Sequence, residues 1–122
     1  MFQVSDKEFH EIVDQSLMEL PKLHINALKN IAIIVEDQPN QEKRSELKLK
    51  PYQSLFGLYE GVPVSRRQGN TKILPDKITL YKLPIESSVN DLLGLKEQIK
   101  HTLWHEIAHY YGLDHKAISE LE

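Results

Sequence analysis

Apolar residues recur at helical spacing in two stretches of the chain and at strand spacing in three. Near the N-terminus Phe9, Ile12, Val13, Leu17 and Leu20 fall on one helical face. Ser5, with Glu8 three residues on, forms a capping box ahead of them. This pattern predicts a helix from about Asp6 to Leu20, stopped by Pro21. Leu92, Leu93, Ile99, Leu103, Ile107 and Ala108 supply the apolar contacts of a longer helix, from Val89 or Asn90 to Tyr111, with Ser88 or Asn90 as N-cap. Asp114 is placed to cap a last short helix running through Leu121.

Between the helices the period shortens. Ile31-Ala32-Ile33-Ile34-Val35 is β-branched and short, which predicts a buried strand. Leu55 to Tyr59, followed by Glu60-Gly61-Val62-Pro63-Val64, predicts a strand, a tight turn and a second extended piece, with Pro63 confined to an edge or turn. Residues 77–84, KITLYKLP, alternate: Ile78, Leu80 and Lys82 face one way, Thr79, Tyr81 and Leu83 the other. Asp37 to Tyr52 is polar and carries Pro39 and Pro51, so it reads as a mobile surface loop, and Ser65 to Pro75 reads as a second loop. The charge run from Glu42 to Lys50 belongs to a solvated segment rather than a docking patch.

Composition narrows the class. A chain of 122 residues is expected to form one domain over 1–122, with a single core and no second lobe. Its net charge of −3, without a basic stripe, argues against nucleic acid as a partner. There are no cysteines, so disulfides and thiolate metal sites are excluded. No run approaches the roughly 20 apolar residues needed to cross a bilayer, and the opening MFQVSDKEFHEIV is charged and amphipathic rather than signal-like. A cytoplasmic protein without a membrane partner is the expectation; the oligomeric state is left open.

The chemistry sits near the C-terminus, where His105-Glu106-Ile107-Ala108-His109-Tyr110-Tyr111-Gly112-Leu113-Asp114-His115 reads H-E-x-x-H-x-x-G-x-x-H. Residues four apart on a helix lie one turn above each other, so His105 and His109 can converge on one ion. Gly112 permits the break in direction that brings His115 back as a third ligand. Three protein ligands on tetrahedral zinc leave a fourth position for water, the mark of a catalytic site rather than a closed structural one. Glu106, one residue past His105, is placed to take a proton from that water and hand it to the departing amine. Zinc is therefore the expected cofactor, and a peptide or protein the expected substrate.

The blocks LFGLYEGVPVSRR, LPDKITLYKLPI and HTLWHEIAHYYGLDH resemble the bacterial minimal-zincin family, small zinc metallopeptidases reduced to the core of the zincin fold. The resemblance covers nearly the whole chain. It implies an α+β fold in which a small mixed sheet packs against an N-terminal helix and a long C-terminal active-site helix. It also implies zinc on His105 and His109, Glu106 as base, and a third ligand at position 115. That last position is frequently aspartate in the family and is His115 here, with Asp114 the runner-up ligand. The long motif is also similar to that of metzincins, but those need a methionine turn beyond the third histidine, and Met1 and Met18 are the only methionines.

From the zincin architecture follows a substrate site on an edge strand ahead of the active helix, here Gly57, Leu58, Tyr59, Glu60 and Gly61 within the segment Gly57 to Val64. Proline at Leu58 is expected to raise peptide KM and spare the metal. Tyr59, Tyr110, Tyr111, Arg66 and Arg67 are candidates for stabilising an oxyanion, and His101, one turn before His105, for tuning the site or for an ordinary surface role. Two alternatives stand beside the enzyme: a metal-containing module that holds a peptide without cutting it, and a structural metal with a fourth protein ligand. The intact glutamate favours the enzyme.

Overall fold

The computed structural model describes residues 2–19, 31–61 and 76–110, with Tyr110 described by its backbone alone. Four helices and three strands lie among the described residues: α1 Asp6–Met18, β1 Ile31–Glu36, α2 Gln41–Glu46, β2 Gly57–Glu60, β3 Asp76–Tyr81, α3 Lys82–Ser87 and α4 Leu92–Tyr110. The fold is α+β, as the resemblance implied. The expectations for Leu20 and Pro21, the extended piece 62–64, the loop 65–75 and everything from Tyr111 on lie outside the described residues.

α1 begins where the capping box placed it. The Ser5 hydroxyl accepts from the Glu8 amide at 3.1 Å, and Phe9, Ile12, Val13 and Ser16 turn inward. The sheet has the order β1-β3-β2, with β1 parallel and β2 antiparallel to the central β3. β3 is therefore covered on both sides, and residues 78–81 are all buried. β1, expected to be buried, is an edge of this sheet, with only Ile31 buried and Ile34 38% exposed.

Four departures from the sequence reading have local causes. Residues 41–46 of the expected loop form α2, capped by the Asn40 side chain on the Lys43 amide at 2.7 Å. This helix buries none of its residues, so no apolar periodicity announced it; the cap and the lysine–glutamate composition support it instead. Alternation does not carry β3 beyond Tyr81, because Lys82 starts α3, where Pro84 is tolerated in the first turn. The N-terminal turn of α4 is capped by Asp91, whose carboxylate accepts from the Gly94 amide at 2.8 Å, rather than by Ser88 or Asn90. Leu92 and Leu93 are solvent-exposed, and Leu95 takes the core position they were expected to fill.

One core joins these elements. Leu95, Ile99, Leu103 and Ile107, spaced four apart along α4, are fully buried against Phe9, Ile12 and Val13 of α1, Ile78 and Leu80 of β3, and Ile85 of α3. Each such side chain contributes roughly 1.5–3 kcal/mol on burial. Lys82 tethers the N-terminal segment: its ammonium lies 3.2 Å from Asp6 and 3.6 Å from buried Glu86, which also accepts the Val4 amide at 2.8 Å. The long helix is thereby fixed along its length, and its far end carries the histidines on a rigid base.

Candidate metallopeptidase site

The periodicity that buries Leu103 and Ile107 turns His105 and His109 to the side of α4, where both are partly exposed. Their rings meet edge to face one turn apart, with centroids 4.9 Å from each other and planes at 71°. The ligand atoms of His105, Glu106 and His109 lie within 4.8 Å of one another, so two imidazoles that suit zinc stand with a carboxylate beside them. His115 lies outside the described residues, as do Gly112, Asp114, Tyr111, Arg66 and Arg67. His101 is exposed, with its ring centroid 6.4 Å from that of His105.

Glu106 differs from the histidines in being 8% exposed. Burial pushes its carboxyl up to about 7, opposed by a hydrogen bond from the Tyr59 backbone amide. That bond joins α4 to β2, and Gly57 makes the approach possible. A Cβ at Gly57 would stand 2.8 Å from Thr102 Cγ2 and 3.3 Å from Glu106 Cγ, so only a residue without one lets the helix lie this close.

The ladder phase shows which backbone groups of β2 face away from β3. Tyr81 donates its amide to the Phe56 carbonyl at 2.9 Å, which makes Phe56 and Tyr81 a hydrogen-bonded pair. Such pairs alternate in an antiparallel ladder, so Leu58 and Glu60 also turn their backbone groups to β3, and Gly57 and Tyr59 turn theirs away from it. Leu58 is thus the wrong place for a proline test, because its amide belongs to the sheet. The side chains of β2 are engaged elsewhere. The Tyr59 hydroxyl donates to Asp76 at 2.6 Å, which places it as a structural group rather than an oxyanion stabiliser. Glu60 lies 2.6 Å from Lys43 of α2 and 3.5 Å from Lys77, and the Lys43 ammonium beside it holds its carboxyl below the usual range. Gly61 has φ +151°, and a Cβ there would lie 2.5 Å from the Asp76 carboxylate.

A cleft of about 440 Å³ opens beside the motif, between residues 54–57 on one wall and Gln98, His101, Thr102, His105 and Glu106 on the other. Gln98 and Thr102, joined by a 3.0 Å hydrogen bond, were not singled out in the sequence. Neither stands in a motif; only their spacing of one helical turn from His101 and Glu106 hinted at them.

The zincin-like metallopeptidase family matches the chain over residues 28–122, which include β1 to β3 and all of α4. The chain belongs to the zincin-like metallopeptidase family. The same fold occurs in a conserved hypothetical protein from Thermo thermophilus, 18% identical, with a TM-score of 0.60 over 97% of this chain and 100% of that one. No curated protein matches. Membership in the zincin-like metallopeptidases implies a metal ion and peptide or protein substrates. No helix among the described residues is long and apolar enough to cross a membrane.

Proposed function

We propose that this chain, one domain over residues 1–122 acting in the cytoplasm, is a zinc peptidase in which His105, His109 and His115 hold the metal and Glu106 is general base and acid. The observation that carries the reading is the convergence of His105, Glu106 and His109 beside a cleft that His105 and Glu106 line, in a chain of the zincin-like family. When bound, zinc polarises the scissile carbonyl and makes water nucleophilic near neutral pH. Glu106 takes a proton from the attacking water as the new C–O bond forms. It returns that proton to the amine nitrogen as the C–N bond breaks. A carboxylate beside the attacking water can serve both directions of transfer. The outward backbone of Gly57 and Tyr59 offers an extended peptide a strand to pair with, giving affinity with little side-chain selectivity.

The test is cleavage of a diverse peptide library by zinc-loaded protein and by Glu106→Gln. The reading predicts turnover that falls at least about 100-fold in the variant. Equal cleavage by both would remove Glu106 from the reaction, and peptides bound but never cut by either would mark a binding module.

A further inference from the structure

Three regions outside the ligand set invite a role: buried Glu86 with its tether to Lys82 and Val4, the Lys43–Glu60–Lys77 cluster, and the outer edge of β2, which pairs with no further strand among the described residues. The first two tie elements of the fold together. The edge carries an inference that rests on the peptidase reading and extends it.

Among the strand's outward-facing groups is the Tyr59 amide, which has a partner on α4, and that partner is Glu106. A carboxylate oxygen accepting a strand amide occupies the position that the carbonyl of a pairing peptide would take. Gly57 brings the two elements close enough for this, with the Glu106 side chain 3.3 Å from where a Cβ would stand. We propose that in the free protein Glu106 occupies the substrate's place on β2, and that an extended peptide pairing with Tyr59 displaces the carboxylate from the strand toward the two histidines. The base is thus released by the peptide it acts on. Removing the Glu106 side chain should then strengthen peptide binding, because the amide is freed in advance.

Glu106→Gln and Glu106→Ala provide the comparison, since both lack the base and both are neutral at that position. Glutamine keeps a carbonyl that can accept from Tyr59; alanine does not. The probe is a fluorescein-labelled octapeptide of alternating valine and alanine, followed by anisotropy with zinc present. The proposal predicts binding about fivefold tighter to Glu106→Ala than to Glu106→Gln, about 1 kcal/mol, the scale of one net hydrogen bond. Adding Tyr59→Pro to each variant removes the amide and should abolish the difference; proline is tolerated on a strand edge whose amide faces outward. Should the proline variants fail to fold, the Tyr59 amide resonance in Glu106→Ala supplies the same test, since it must shift on peptide addition. Equal or weaker binding by Glu106→Ala, a gain that persists with Tyr59→Pro, an unmoved Tyr59 resonance, or no binding by either variant would each overturn the proposal. Because cleavage is not the readout, a wild-type protein without turnover would count against the peptidase reading and leave this result to stand or fall separately.

Discussion

β3 and β2 lie side by side in one sheet, yet they are made of different material. In β3 the residues 78–81 are all buried, and Ile78 and Leu80 are sealed beneath α1 and α4. β2 buries none of its four residues completely, begins with a glycine, and engages its polar side chains with Asp76, Lys43 and Lys77. The central strand supplies stability through side chains. The edge strand supplies position: its side chains anchor it, its missing Cβ admits the helix, and its outward backbone meets the motif. A functional edge need not be apolar or well packed, provided its neighbours hold it still.

Substitutions on the two strands should therefore fail in different ways. Leu80→Ala, deep in the core, is expected to cost about 2–5 kcal/mol in urea denaturation while leaving zinc affinity unchanged in the folded fraction. Gly57→Ala should cost about 1–3 kcal/mol, since the new methyl meets Thr102 and Glu106; unlike Leu80→Ala, it should also lower peptide turnover at temperatures where the variant is fully folded. If Gly57→Ala only shifted the melting temperature, the edge would be a structural strand like its neighbour.

The metal-free protein offers a third contrast, in pH. Glu106 has a folded-state value of about 7 against an ordinary 4.5, so the folded state binds the proton more tightly than the unfolded chain does. The stabilisation is complete below about pH 4.5 and is lost as pH rises through 7. Between pH 5.5 and 8 the loss amounts to about 2 kcal/mol, and thermal denaturation of Glu106→Gln should lack this component. The smallest effect is expected at the brace on β2. Lys43→Ala removes a partly exposed ion pair to Glu60, and a chemical melt should register a loss below about 1 kcal/mol.

The sequence revealed most where one residue type does one job. The i, i+4 spacing of His105 and His109 required a helix, and the buried stripe of α4 supplies it. Ser5 and Glu8 marked the start of α1 because capping is local chemistry. Tertiary context was harder to read. Nothing in LFGLYEG says that Gly57 spaces a helix from a strand, or that the Tyr59 amide would find Glu106, since both depend on a register set by β3. α2 went unseen because a helix that buries nothing has no apolar period, although Asn40 before Gln41-Glu42-Lys43 was a capping signal in plain view. Leu92 and Leu93 misled in the opposite sense: both are apolar, but Asp91 caps the helix so that Leu95 faces inward instead.

The central claim is that the end of α4 holds a catalytic metal on its histidines, next to the β2 edge. Calorimetric titration of zinc into the metal-free wild type and into His109→Ala tests it most directly. The account predicts one ion per chain for the wild type and an affinity at least about 100-fold weaker for the variant, about two to three kcal/mol on the usual scale. Equal affinity in the two proteins, or no zinc bound by either, would contradict it.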